Sequence, residues 1–317
     1  MLLNILGIFA GLALLVVGAD RFVQGSADIS RYLGMPPLII GLVIVGLGTS
    51  APELLVGSVA ALEGKTEISI GNALGSNIAN IGLVLGLSVI YRPVTITSRT
   101  LKREYLIMLL AIVAAGILLL DRNLSRLDGV LLLFSIIIII LVIIKMAERT
   151  TRTDPLAGEF EKEYSKAHDL VKSIFWLIAG LVVLLGGAEL LVRCAIIIAR
   201  HIGISDLVIG LTIIAIGTSL PEVAASITSI IKNEADIAVG NVIGSNMFNM
   251  LAVIGVPALI HPVNFDILVL YRDFPVMIAL TLLMGWMIFV NQANRFTRAE
   301  GTILLLCFTG YQVFLFT

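Results

Sequence analysis

The chain has 317 residues, 58% hydrophobic and 14% charged, with mean hydropathy +1.05 and a formal net charge of −1. Soluble domains carry about 25% charged residues, so this balance excludes an ordinary soluble domain and leaves no cationic surface for nucleic acid. Long apolar runs without ~10-residue alternating segments exclude a transmembrane barrel and set the fold class as an all-α polytopic membrane protein.

Hydropathy places ten spans at about 2–20, 36–62, 68–90, 104–120, 128–145, 170–192, 205–230, 236–260, 273–290 and 300–316. The first is apolar from Leu2, with no basic segment or cleavage site ahead of it, and reads as a retained helix. The second contains "GLGTSAPELLVGS" (46–58), where a proline and a glutamate interrupt an apolar run. The third carries "GNALGSNIAN" (71–80). The one long polar stretch, 145–172, has mixed charge and no apolar period, as a linker does. The expected units are a first five-helix repeat (1–145), a linker (146–169) and a second five-helix repeat (170–317).

The second unit repeats the first at an offset of 169 residues. Gly18-Ala19-Asp20 falls on Gly187-Ala188-Glu189, and Gly48-Thr49-Ser50 on Gly217-Thr218-Ser219. Pro52-Glu53 falls on Pro221-Glu222 within "AIGTSLPEVAASI" (215–227), and "GNALGSNIAN" falls on "GNVIGSNMFN" (240–249). The register moves to 172 at Gly129 and Gly301. An odd number of spans per unit turns the second upside down relative to the first, the inverted-repeat plan of secondary transporters. Connections after the odd-numbered spans carry fifteen of the 21 Lys and Arg residues. The positive-inside rule then makes the linker cytoplasmic and puts both termini outside.

Proline lacks an N–H and clashes with the preceding turn. Pro52 and Pro221 are therefore expected to break their helices and free the carbonyls around Gly48-Thr49 and Gly217-Thr218. In a bilayer, freed carbonyls persist only where protein, water or an ion satisfies them. Beside each break stands a carboxylate, Glu53 or Glu222, and an ionisable group at that depth costs about 2.5–3.5 kcal/mol on insertion scales. Carboxylates with backbone carbonyls are the oxygen set that Ca2+ takes. With no His or Cys nearby, a softer metal is disfavoured. Ser76 with Asn80 and Ser245 with Asn249, at i and i+4, each share a helix face and add hydroxyl and amide oxygens.

Other residues have plainer expectations. Gly71, Gly75, Gly240 and Gly244 form small-residue faces for close helix packing. Asp20 and Glu189 end their spans and either line an aqueous entrance or cap the next segment. Arg103-Glu104 and Arg272-Asp273 read as pairs at the membrane interface, and His168, His201 and His261 as surface residues. Cys194 and Cys307 read as small core residues.

At "GTSAPE", "GTSLPE" and the doubled "GN…GSN" segments the chain resembles the cation/Ca2+ antiporter superfamily, and within it the prokaryotic sodium/calcium exchanger family. The resemblance covers nearly the whole chain. It implies that Glu53 and Glu222 ligate both Ca2+ and Na+, and that the carbonyls of Thr49 and Thr218 reach Ca2+. It implies Na+ positions involving Ser50, Ser219, Ser76, Ser245 and the carbonyls of Gly46 and Ala215, and sliding of spans one and six as gates. Some relatives carry an acid where this chain has Asn249; here Asn80 and Asn249 leave two carboxylates.

The expected function is Ca2+ export in exchange for Na+ across a prokaryotic plasma membrane, with lipid as surroundings and neither a prosthetic group nor a protein partner. A H+/Ca2+ antiporter using the same glutamates stays open, because protonation neutralises the pair equally well. A channel would need a continuous polar path, and an intramembrane enzyme a nucleophile-base pair or metal triad, for which no His stands mid-span.

Overall fold

The computed structural model describes residues 2–95, 101–152, 170–203, 215–290 and 295–315. The first half holds α1 (Leu2–Tyr32), α2 (Pro37–Thr49), α3 (Ala51–Leu62), α4 (Thr66–Tyr91), α5 (Leu101–Leu118) and α6 (Arg126–Arg152). The second holds α7 (Leu170–His201), α8 (Ala215–Thr218), α9 (Leu220–Ile231), α10 (Ala235–Ile260), α11 (Val269–Val290) and α12 (Arg298–Leu315). Four two-residue strands, β1 (Val94–Thr95), β2 (Asn123–Leu124), β3 (Val263–Asn264) and β4 (Arg295–Phe296), sit in the connections.

Among the described residues six helices, α1, α4, α6, α7, α10 and α11, are long and apolar enough to cross a membrane, and the bent pair α2–α3 makes a seventh. α5 and α12, of 18 residues each, open on charged turns. The expected span at 205–230 is represented by α8 and α9, and its first part lies outside the described residues. The linker expected at 146–169 is helical to Arg152, the end of α6, and the rest also lies outside.

The sequence offset recurs in the elements. α3 and α9, the starts of α4 and α10, and β1 and β3 are each 169 residues apart, whereas β2 and β4 are 172 apart. Pairing is reciprocal: β1 pairs antiparallel with β4, and β2 with β3. Left-handed residues also match. Gly34 (φ 62°) corresponds to Gly203 (φ 86°), and Gly64 (φ 76°) to Asn233 (φ 63°), where Asn tolerates the conformation.

α4 and α10 form the centre. Their most apolar stretches are 78% and 83% buried, against 22% in α1, α6 and α7, which turn apolar side chains outward as a lipid-facing helix does. A large apolar cluster joins α4, α5, α10 and α11. A second and smaller one, with Leu15, Phe22, Leu184 and Ala188, joins α1 to α7 and reaches α2, α9 and α10 through Val45, Ala225 and Ile237. These two helices run antiparallel in close contact: Gly18 lies against Leu184, and its counterpart Gly187 against Leu15.

Hydropathy underestimates α1 and α7, which continue past the expected limits at 20 and 192 to Tyr32 and His201. An apolar window registers where lipid ends, and a helix can carry on beyond it. Asp20 and Glu189 thus stand inside their helices rather than at the ends. Cys194 is buried as expected, but Cys307 is exposed, on an outer face of α12. His201 and His261 are exposed, and His168 lies outside the described residues.

Candidate cation site

The two breaks are built alike. α2 ends at Thr49; Ser50 (φ −83°, ψ 8°) leaves helical geometry, and α3 starts at a 41° bend. Pro52 falls in the first turn of α3, where a missing N–H costs nothing. Ser219 (φ −86°, ψ 0°) and Pro221 repeat this before α9. Each span is broken where expected, and the proline sits in the first turn of the helix that resumes after the break. Glu53 and Glu222 consequently stand in first turns, where the helix dipole favours negative charge.

Both carboxylates are 1% exposed. Oε1 of Glu53 accepts from the Ser76 hydroxyl at 3.5 Å, and Oε1 of Glu222 accepts from the Ser50 hydroxyl at 3.2 Å. Ser50 is thus three residues before one glutamate and bonded to the other. The Thr49 hydroxyl also faces Glu222, and the two carboxylates interact electrostatically. Thr49, Ser50, Ser76, Ser219, Ser245, Asn80 and Asn249 are buried with them, while Thr218 is half-buried. Ala215 opens α8. The Gly46 carbonyl lies 3.2 Å from the Ser245 hydroxyl.

α4 and α10 supply the rest through the same device. Each loosens into a π-helical turn, at Asn80 and at Asn249. The turn from Asn80 packs against α9, which carries Glu222; the turn from Asn249 packs against α3, which carries Glu53. Asn80 Nδ2 donates to Asn246 Oδ1 at 3.2 Å.

Four asparagines at this site escape a reading of acids and hydroxyls alone. Asn72 Nδ2 donates to the Glu53 carbonyl at 3.3 Å, and Asn241 Nδ2 to the Glu222 carbonyl at 3.5 Å. Asn241 also donates to Ser226 at 3.0 Å and faces the Thr49 hydroxyl at 3.1 Å and the Ser245 hydroxyl at 3.4 Å. Asn77 donates to the Asn246 carbonyl at 3.3 Å, tying α4 to α10. The signal was present: Asn72-Ser76-Asn80 and Asn241-Ser245-Asn249 are polar stripes at i, i+4, i+8.

Several buried polar atoms here have no partner among the described residues: Glu53 Oε2, Glu222 Oε2, Ser219 Oγ, Asn77 Oδ1, Asn80 Oδ1 and both heteroatoms of Asn249. A buried polar group without a partner costs about 1–3 kcal/mol. Orphaned oxygens gathered around two buried carboxylates suit a hard cation, which takes oxygen ligands. No grouping of three or more His, Cys, Asp or Glu suited to a metal occurs among the described residues.

Around this centre, Glu189 lines a cleft of about 220 Å³ with Pro52, Thr218 and Pro221, and pairs with Arg193 of its own helix. Asp20 instead pairs with Lys232 at 2.7 Å. Arg103 and Arg272 pair at 2.7 Å with Glu104 and Asp273; the acids are buried, and the partly exposed arginine beside each supplies a counter-charge. Gly240 and Gly244 pack against the backbone of α2. At Gly71 and Gly75 no described atom lies within 4 Å of an added Cβ.

Apolar outer helices around a buried oxygen-lined centre define an α-helical membrane protein of the ion-transporter class. The sequence profile of the family described as "Sodium/calcium exchanger protein" matches residues 3–145 and 172–317, and the chain belongs to that family. CaxA of Alkalimonas amylolytica is 44% identical over 318 residues, covering all of both chains. The sodium/calcium exchanger MaX1 of Methanosarcina acetivorans is 31% identical over 349 residues, covering 99% of this chain and 98% of MaX1. A structure of the sodium-calcium exchanger NCX_Mj, soaked with Na+ and Ca2+, superposes with a TM-score of 0.83 at 34% identity, covering 98% of this chain and 97% of that one.

Proposed function

We propose that this protein exports Ca2+ in exchange for Na+ by alternating access, with both ions competing for Glu53 and Glu222. The observation that carries the reading is the pair of buried carboxylates, each with one oxygen held by a serine and the other without a partner among the described residues. One Ca2+ or two monovalent ions neutralise them. Empty, the doubly negative site is too costly to occlude. The remaining ligands are the carbonyls of Gly46, Thr49, Ala215 and Thr218 and the side chains of Ser50, Ser219, Ser76, Ser245, Asn80 and Asn249. The family membership and the likeness to the sodium/calcium exchangers MaX1 and NCX_Mj support Na+ and Ca2+ as the exchanged ions.

The architecture proposed with it is ten spans in two inverted five-helix repeats, 1–145 and 170–317, joined by a cytoplasmic linker at 146–169. Both termini are outside, in a prokaryotic plasma membrane. Reciprocal strand pairing and the antiparallel contact of α1 with its counterpart α7 support the inversion. The long antiparallel contact between these two helices supports their movement as a unit across the core.

The test is 45Ca2+ uptake by proteoliposomes holding the purified chain. A Na+ gradient is expected to drive uptake, and Glu53→Gln or Glu222→Gln to reduce it to the protein-free background. Full uptake by either variant overturns the glutamate mechanism. Uptake driven by a pH gradient and not by Na+ replaces the counter-ion with H+, and uptake without any counter-ion indicates a channel.

A further inference from the structure

We infer that Glu189 is the first docking point for a cation entering from the outer face, and that Arg193 covers this point as a tethered competitor. The inference rests on the antiport reading and the topology above and adds an entry residue to them. Glu189 stands inside α7, about 18 Å along the helix before its end at His201. An ionisable side chain within a membrane-spanning helix persists where it faces protein or water. The Glu189 side chain is 59% exposed and that of Arg193 74%. Both line the cleft of about 220 Å³, whose other walls come from α3, α8 and α9. Those walls hold Thr218, a proposed ligand, and Pro52 and Pro221, each next to a central glutamate. The cleft thus runs from an open ion pair to the residues beside the buried carboxylates.

The chemistry of the pair sets its role. A carboxylate in a cleft with low-dielectric walls draws cations in. Arg193 Nε donates to Glu189 Oε1 from one turn further along the same helix. A pair this exposed is worth only about 0.2–1 kcal/mol, so an arriving cation displaces the guanidinium readily. The guanidinium closes back on Glu189 as the cation moves inward. A lone acid would retain the ion at the mouth, whereas an acid with a tethered competitor passes it on.

The corresponding acid of the first half is held differently. Lys232, from another element, pairs with Asp20. Gln24 takes the position of Arg193 and accepts from the same ammonium. The two ends of the molecule are therefore unlike, and the device acts from one face.

The experiment measures Na+-driven 45Ca2+ uptake by the full chain in right-side-out and in everted membrane vesicles, which present the outer and the inner face. The half-saturating Ca2+ concentration and the maximal rate are read at low and high choline chloride. In right-side-out vesicles at low salt, Glu189→Gln is expected to raise the half-saturating concentration and Arg193→Gln to lower it, each roughly 1.5- to 5-fold with the maximal rate unchanged. Both shifts should shrink at high salt, which screens the mouth, and be absent in everted vesicles. Glu189→Asp keeps the charge and should behave as the wild type. The inference is overturned if Glu189→Gln leaves the half-saturating concentration unmoved, or moves it equally from both faces or only from the inner one. Shifts of the same sign in the two variants also overturn it, because a pair that only braces α7 would give them. Should Glu189→Gln fail to insert, the sign of the Arg193→Gln shift decides. Wild-type vesicles without Na+-driven uptake overturn the antiport reading and this inference with it; an active wild type with an unmoved Glu189→Gln overturns this inference alone.

Discussion

Lys232 Nζ lies 2.7 Å from Asp20 Oδ1 and so ties the middle of α1 to the turn that follows α9. Gln24 accepts from the same ammonium at 3.3 Å, and Arg31, further along α1, pairs with Glu234 beyond the turn. The repeat puts Glu189 and Glu63 where Asp20 and Lys232 stand, and Arg200 and Lys65 where Arg31 and Glu234 stand. Opposite charges at one end of the molecule are like charges at the other. There Glu63 pairs with Lys65 inside its own turn, and Glu189 with Arg193 inside its own helix. Packing follows the charges: α1 lies along α9, and α7 makes no comparable contact with α3 among the described residues.

Closure at the 232–234 turn is therefore favoured by charge, and its mirror image is not. Lys232→Glu sets a like charge against Asp20. Pairs this exposed are worth about 0.2–1 kcal/mol, so the open fraction at that end should rise roughly 1.5- to 5-fold. The measurement is the alkylation rate of Ser229→Cys, a buried position near the turn, in a Cys307→Ser background. A rate unchanged by Lys232→Glu means that the pair plays no part in closure.

Much of this was legible because the chain states its design twice. The 169-residue offset seen in the letters is the offset of α3 and α9 and of β1 and β3, and even the change to 172 reappears in β2 and β4. Glu53 and Glu222 stood out as charges in apolar runs, and both are buried. The breaks at Pro52 and Pro221 were legible, whereas the prolines' place in the first turn of the resuming helix was not, because a proline's effect depends on where its helix begins. The π-helical turns at Asn80 and Asn249 left no mark, since a turn of that kind changes the hydrogen-bond step and not the composition. Nor does composition tell that Glu104 is buried beside a partly exposed Arg103, because residues adjacent in a charged first turn read as solvated.

Asn241 joins more of the site than any ligand does, touching the Glu222 carbonyl and the hydroxyls of Ser226, Thr49 and Ser245. Its counterpart Asn72 donates to the Glu53 carbonyl and is less buried. Removing groups that orient metal ligands typically costs 10- to 100-fold in affinity. Asn241→Ala should raise the Ca2+ concentration for half-maximal uptake by about that factor, with a smaller rise for Asn72→Ala. Equal effects from the two would rule out the hub role of Asn241.

Gly240 and Gly244 let α10 meet α2 backbone to backbone. A Cβ on Gly240 would lie 2.2 Å from the Leu38 carbonyl oxygen, and one on Gly244 2.0 Å from that of Leu42. Neither oxygen can move without dragging α2, which leads directly into Thr49 and Ser50. Overpacking costs about 1–3 kcal/mol even where side chains can adjust, so Gly244→Ala should lower the thermal midpoint in detergent and weaken Ca2+ uptake together. Gly310→Ala, with no described atom within 4 Å of the added Cβ, is the control and should leave both unchanged or raise the midpoint slightly. A Gly244→Ala protein as stable and active as the control would contradict the close approach.

Glu104 is fully buried, and its Oε1 accepts from Nη2 of Arg103 at 2.7 Å and from Nε at 3.2 Å, while Oε2 has no partner. Its counterpart Asp273 is better served, by Arg272 at 2.7 Å and by the Tyr311 hydroxyl at 3.0 Å. Removing one member of a buried ion pair leaves an uncompensated charge and costs about 3–5 kcal/mol, whereas replacing both by apolar groups is often neutral or stabilising. Arg103→Ala alone should therefore sharply reduce the yield of folded protein, and Arg103→Ala with Glu104→Leu should restore it. The double variant should also keep its Na+-driven Ca2+ uptake, because a self-neutralised pair contributes no charge to the exchange. A double variant that folds well but has lost uptake would give Glu104 a part in ion movement and add a third acid to the two at the centre.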